Sequence, residues 1–363
     1  MNKETALKNI KANFRGPIDV TYREGEQFAG NYVGDEGCFK PFEISIPQAT
    51  RILTHLNDIG IEYAEVPNGL VRGIDDYIKN LVAIPDRPKL LSHIRNNVKD
   101  VTAAVELGVD GVNILTNVDP ERIKAAGYPS MDEYMNTLQQ VIQIAKNGGL
   151  QTRVSVEHSW NGFFDQALKV FEFADNLGVD RIGLADTLGI ANRFDVEDRV
   201  GQARQRVRRS DIEVHFHNDG SQGVSNAIEA LIHGANYVDT TLAGIGERTG
   251  ITSLSGLFSA LLMLDPGLVK KFNLEFLTSA ERYMMEIIGL PVPHNLISSP
   301  NAFSHKAGIH TNGIATHSQG LALYQPFPAD TVGNTTHVIT GTRISGKTTC
   351  EKIRAIIPGI SVQ

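Results

Sequence analysis

In the stretch IEVHFHND, two histidines stand one residue apart behind a glutamate. Alternation along a strand puts Glu213, His215 and His217 on the same side. Imidazoles at i and i+2 beside a carboxylate make an efficient set of metal donors. The alternative is a pair of core histidines, which an enclosed strand rarely spends on two adjacent layers. Upstream, DVTYREGEQFAG crowds Arg23, Glu24, Glu26 and Gln27 into what reads as one loop, and Glu24 is the expected carboxylate ligand. RVSVEHSW places Arg153, Ser155 and Glu157 on one face of another strand, where an always-charged guanidinium suits a substrate carboxylate or phosphate. LADTLG offers the Thr187 hydroxyl and Asp186 as an orienting group. LAGIGERTGIT supplies glycines that let backbone approach a ligand. Late in the chain, SHKAGIHTNG carries His305, Lys306 and His310, which suit an acid or base delivered over a site from an appendage.

One further motif competes for attention. GTRISGKTTC, residues 341–350, begins with G-x-x-x-x-G-K-T, the pattern of a nucleotide phosphate loop. Such a loop must follow a strand, open a helix and leave enough chain to complete its sheet. Few residues remain after Thr348, so the match is read as accidental, with Lys347 available at most to hold an anion.

These groups need a scaffold. One phrase recurs along the chain: an amphipathic stretch, a glycine, a small apolar residue, a polar residue and then a strand. It occurs at Gly60, Gly108, Gly178 and Gly234. Glycine just past a helix supplies a left-handed cap before the next strand. Strands are expected at 17–21, 61–66, 89–94, 109–115, 151–157, 180–185, 212–217 and 236–242. Helical patterns fall near 46–58, 72–81, 98–107, 131–147, 164–177, 193–207, 221–233 and 252–264. Eight βα units of this size predict an α/β fold, a TIM (β/α)8 barrel, with function at the C-terminal ends of the strands. A doubly wound open sheet is the structural alternative. A catalytic barrel over 1–280 and a smaller C-terminal subdomain over 281–363, covering the site, are the expected divisions.

Composition is that of an ordinary soluble globular protein, with 41% hydrophobic and 21% charged residues. A net charge of −7 argues against nucleic acid or an anionic membrane as partner. Two cysteines, Cys38 and Cys350, build no disulfide framework or cysteine zinc site. No signal-type or membrane-length apolar run is seen, so a cytoplasmic location is expected.

REGEQFAG, HFHND, GIGERTGITSLSGL and HKAGIH, in that order over nearly the whole chain, resemble the homocitrate synthases within the isopropylmalate synthase and DRE-TIM metallolyase group. The Glu after Arg in REGEQ is more similar to homocitrate than to isopropylmalate synthases. The resemblance implies a Claisen-type condensation of acetyl-CoA with a 2-oxo acid, followed by thioester hydrolysis. It implies a divalent metal (Mg, Mn or Zn) on Glu24, His215 and His217, and Arg23 stabilising the developing alkoxide. By the same resemblance, Gln27 and Thr187 hold the substrate's carboxylate end, and Arg153, Ser155 and Glu157 its distal carboxylate. His310, with Glu213 as partner, takes the acetyl proton, with His305 left open as the alternative base. Tyr324 assists from the appendage. Gly246, Glu247, Arg248 and Lys306 lie near CoA. The family is typically a homodimer whose appendage reaches over the partner's barrel.

Two departures bear on the substrate. Where such synthases read HIRCH this chain reads HIRNN, placing Asn97 at an expected distal-carboxylate position. NYVGDEGCFKPFEIS also looks extended. Phosphonopyruvate or oxaloacetate in place of 2-oxoglutarate are therefore alternatives. A metal-dependent carbon–carbon lyase is a further one, though neither cysteine sits in that enzyme's Gly-rich loop. A facial-triad oxygenase is the last, and eight βα units count against it.

Overall fold

The computed structural model describes residues 1–33, 37–41, 43–67, 74–160, 162–317, 319–340 and 361–362. GTRISGKTTC lies outside the described residues. Each βα unit is delimited by local chemistry. Helix α3 (Ile46–Ile59), for example, starts at a capping box between Ser45 and Gln48, with a proline in the first turn. It ends at Gly60, in the left-handed conformation the repeated phrase predicts.

In chain order the strands are β1 (Gly16–Asp19), a hairpin of β2 (Asn31–Val33) and β3 (Cys38–Lys40), then β4 (Tyr63–Val66), β5 (Lys89–Arg95), β6 (Gly111–Thr116), β7 (Gln151–Val156), β8 (Arg181–Asp186), β9 (Asp211–Phe216) and β10 (Tyr237–Thr240). All but the hairpin close into one barrel, ordered β1-β10-β9-β8-β7-β6-β5-β4 and parallel throughout. The barrel is closed, so the open-sheet alternative is set aside. Around it run α3 (Ile46–Ile59), α4 (Asp75–Val82), α5 (Val98–Leu107), α7 (Met131–Asn147), α8 (Phe164–Asn176), α9 (Arg193–Arg206), α10 (Gly223–Ile232) and α11 (Leu254–Leu264).

The helices not foreseen are α1 (Lys3–Asn13), α2 (Thr21–Gln27), α6 (Pro120–Ala125), α12 (Leu277–Ile288) and α13 (Gly308–Thr316). The stretch read as a loop, REGEQ, is thus the body of α2. Its first turn closes when the Glu24 amide donates to the Val20 carbonyl at 2.8 Å, while Tyr22 is buried. The expected division at 280/281 falls inside α12. Beyond it, β11 (Ser304–His305), β12 (His337–Val338) and β13 (Ser361–Val362) form a small parallel sheet. Phe303, Ala329 and Val332 join the main apolar core, and the Thr278 hydroxyl donates to the Val332 carbonyl at 2.6 Å. Among the described residues, no helix is long and apolar enough to cross a membrane.

The barrel lumen is layered. Ile18, Val20, Tyr63, Leu91 and Ile251 form a separate apolar cluster inside it. The Arg181 guanidinium sits 4.7 Å from the Tyr63 ring centre and 5.5 Å from that of Tyr237. Beside that cluster the lumen is charged, and that charged layer carries the site.

Candidate functional site

A pocket of about 220 Å3 opens at the C-terminal ends of the strands, where barrel sites form. Glu24 from α2 and His215 and His217 from β9 and its end converge there, and one donor atom from each lies within 4.8 Å of the others. His215 Nε2 is 3.3 Å from His217 Nε2 and 3.6 Å from Glu24 Oε1. His215 Nδ1 faces Asp239 Oδ2 at 3.0 Å, an arrangement that orients the ring and turns Nε2 toward the other two donors. Nitrogen and carboxylate donors aimed at one point suit a divalent ion, and all three side chains are buried. Burial resists ionisation of Glu24, but Arg23, the two histidines and the Glu247 amide outweigh it and hold the carboxyl below its ordinary value. Burial, aided by His215, drives His217 down to about 4, so its ring is neutral and able to ligate at neutral pH. Backbone at Gly246 passes so close that a Cβ there would stand 2.8 Å from Glu24 Oε2.

Arg23 sits against this cluster. Its Nη1 is 2.5 Å from Glu24 Oε1 and its Nε donates to Glu65 Oε2 at 3.1 Å. Glu65 also accepts from Asn113 Nδ2 at 2.7 Å and faces His93 Nδ1 at 3.6 Å. Asn113 in turn accepts from the Ser155 hydroxyl at 2.8 Å.

Arg153 crosses the lumen beneath. Its Nη1 lies 2.8 Å from Glu213 Oε1 and 3.1 Å from Glu65 Oε1, and its Nη2 3.2 Å from Asp239 Oδ2. Gly183 makes the crossing possible, since a Cβ there would stand 2.5 Å from Arg153 Nε. Glu213 also meets Arg181 Nε at 3.0 Å. Burial pushes the Glu213 carboxyl well up, whereas Arg153 and the bond from Glu213 overcome burial to hold Asp239 down. Arg23, Arg153 and Arg181 thus interleave with Glu24, Glu65, Glu213 and Asp239 across the lumen.

The structure brings Arg23, Glu24, Gln27, Arg153, Ser155, Glu157, Thr187, His215, His217, Glu247 and Arg248 to one pocket. Thr187 accepts from the His158 amide at 3.0 Å. Arg248 is held by Asp219 at 2.9 and 2.8 Å. Asp186 closes its own turn by accepting from the Ile190 and Ala191 amides. Glu213 lies below, in the arginine layer. Asn97 is elsewhere: its side chain caps α5 through the Lys99 amide and lines a neighbouring cavity.

His310 lies apart from that pocket and from Glu213. It stacks on Tyr324, ring centres 4.1 Å apart, with His305 Nδ1 3.4 Å from its Nδ1. Lys306, on the same segment, is exposed. Sequence reasoning missed Glu65, His93, Asn113 and Asp239. The available signal was a polar residue at an inward position of a strand, as Glu65 in YAEV and His93 in LLSHIR.

Comparisons with known proteins bear on the whole chain. The HMGL-like family model matches residues 17–284, and the model described as homocitrate synthase post-HMGL domain-like matches 297–357. Mitochondrial homocitrate synthase of Saccharomyces cerevisiae is 33% identical over 330 residues, covering 90% of this chain and 71% of that one. Homocitrate synthase of Saccharolobus islandicus (strain M.14.25 / Kamchatka #1) is 30% identical over 328 residues, covering 88% and 67%. The crystal structure of an HMG-CoA lyase from Bacillus subtilis superposes with a TM-score of 0.65 at 19% identity, over 77% of this chain and 96% of that one. That likeness speaks to the fold alone.

Proposed function

The chain belongs to the HMGL-like family as a homocitrate synthase-like member, and from that premise we propose that it condenses acetyl-CoA with a 2-oxo diacid and hydrolyses the thioester. 2-Oxoglutarate is the leading acceptor, giving homocitrate. The observation that carries this reading is the convergence of Glu24, His215 and His217 beside Arg23 in one barrel-mouth pocket.

Glu24, His215 and His217 would hold a divalent ion, which when bound supplies Lewis-acid polarisation of the 2-oxo carbonyl. Arg23, fixed by Glu24 and Glu65, is placed to stabilise negative charge as it develops on the carbonyl oxygen. Gln27 and Thr187 line the same pocket and orient the acceptor's carboxylate. A base removes a proton from the acetyl methyl, the resulting carbon attacks the 2-oxo carbon, and water then releases CoA.

His305 has both ring nitrogens engaged, by Gln325 Nε2 at 3.0 Å and by His310. The reading therefore gives the base to the more exposed His310, with Tyr324 stacked on it. Since this cluster does not line its own chain's pocket, we place it over the barrel of a second copy in a homodimer. Glu247, Arg248 and Lys306 then border the CoA path.

The test is CoA release followed with a thiol reagent, using acetyl-CoA and 2-oxoglutarate, oxaloacetate, phosphonopyruvate or 2-oxoisovalerate, with Mg²⁺, Mn²⁺ or Zn²⁺ and an EDTA control. Metal-dependent release with 2-oxoglutarate supports the reading. No release with any acceptor refutes it and brings a lyase forward.

A further inference from the structure

A second cavity, of about 300 Å3, opens beside the central pocket and shares Leu115 and Glu157 with it. The two are reached along the same strands. Inward positions climb from His93 to Arg95 on β5, from Asn113 to Leu115 on β6, and from Arg153 through Ser155 to Glu157 on and just past β7. The lower residue of each series faces the central pocket and the upper one the side chamber. Each two-residue step rises about 6.6 Å.

Two cations and a set of amides line the chamber. Arg95 is committed to Asp100 by two bonds of 2.9 Å. Arg122 meets Glu157 Oε2 through Nη1 at 2.7 Å, and its side chain is 49% exposed. An ion pair that open to water contributes little, so an incoming carboxylate can displace Glu157 from the guanidinium at small cost. A guanidinium also presents five donors in a fixed fork, suited to a second carboxylate. Asn96 adds a separate constraint. It is 4% exposed, its Nδ2 donates to the Tyr134 carbonyl at 3.0 Å, and its Oδ1 has no partner among the described residues. An apolar occupant would leave that acceptor dry, whereas a charged tail that brings water with it would not.

We propose that this chamber takes the far, anionic end of the acceptor, so that the site admits 2-oxo diacids longer than 2-oxoglutarate, and that Arg122 reads the tail. The proposal rests on the synthase reading above. It makes Arg122 a specificity-determining residue outside the reaction centre, and it places Asn97 in the wall of the tail chamber.

The experiment compares kcat/KM by CoA release for 2-oxoadipate, 2-oxopimelate, 2-oxoglutarate and oxaloacetate, in wild type, Arg122→Met and Arg122→Lys. We expect Arg122→Met to lower the 2-oxoadipate to oxaloacetate ratio of kcat/KM by roughly tenfold or more, mainly through KM, and Arg122→Lys to restore part of it. A ratio unmoved by Arg122→Met overturns the proposal. So does a wild-type enzyme that turns over 2-oxoglutarate but neither longer diacid. Absence of CoA release with every acceptor is a different failure, and it removes the synthase reading together with this one.

Discussion

Replacing Arg153 with methionine tests the charged layer that supports the pocket. The guanidinium is 2% exposed and lies 2.8–3.2 Å from oxygens of Glu213, Glu65 and Asp239. At an effective dielectric near 20, each such contact is worth about 4 kcal/mol of gross attraction, most of it offset by desolvation of the charges. Methionine fills similar space but removes the cation that Glu65, Asp239 and Glu213 share, leaving Glu65 to Arg23 and Asp239 to His215. Breaking a buried pair in this way costs about 3–5 kcal/mol, and at about 2 °C per kcal/mol for a chain this long the melting temperature should fall by about 6–10 °C. The deficit should depend on pH with a definite sign. Arg153 leads the groups, with Glu213 and His215, that together overcome burial and hold Asp239 down, so its loss moves the folded-state pKa of that carboxyl up. A raised pKa contributes stability present at low pH and lost as pH rises, so the variant should be worse off at about pH 8 than at about pH 5.5. Melts of both proteins in EDTA at the two pH values measure this without involving any metal. Gly183→Ala, which drives a Cβ into Arg153 Nε, should reproduce part of the effect. A melting temperature within about 2 °C of wild type at both pH values, for Arg153→Met, would show that the layer is not held by this residue.

Glu24→Gln should reduce divalent metal retention after dialysis by at least about tenfold, measured by elemental analysis, with the melt in EDTA little changed; retention equal to wild type would remove Glu24 from the ligand set. Asp19, buried against Thr21 on the outside of the barrel, has its pKa pushed up to about 7, chiefly by burial. The folded state binds this proton more tightly than the unfolded chain, so wild type loses stability as pH rises from 3.8 to about 7. Asp19→Asn lacks that loss and should gain on wild type by about 1.4 kcal/mol per pH unit across the window in urea titrations; parallel pH curves would contradict it. If His310 serves a second copy's barrel, inactive His310→Ala and inactive Glu24→Gln should recover CoA release when unfolded together and refolded as mixed dimers. One in two dimers would then hold one intact site, about a quarter of wild-type sites. No recovery beyond the separately refolded controls would count against the swapped arrangement.

Much of the fold was legible because its signals are local. Apolar strands set at regular spacing, four of them preceded by an amphipathic run and a glycine, specify eight βα units, and the strands fall within two residues of their expected bounds at every end. The ligand candidates were legible for the same reason: alternation fixes that His215 and His217 share a face, whatever surrounds them. Even the short-range reading had limits. REGEQ carries no strong helix signature, and packing of Tyr22 turns it into α2.

Barrel closure decided the rest. Glu65, His93, Asn113 and Asp239 each read as one polar residue in an ordinary strand, and nothing nearby in sequence announces a partner. Arg153 meets Glu65 across 88 positions and Asp239 across 86. Glu213 looked like a partner for a catalytic histidine, yet the register places it below the histidines, against Arg153 and Arg181. Asn97 was expected at the distal-carboxylate position, but only the end of β5 at Arg95 shows that it lines the side chamber and not the central pocket. The period of a strand states which residues face inward, and so the sequence alone put His215 and His217 on one face. Only closure of the sheet sets which inward residues share a layer, and the charge balance of the pocket is a property of layers.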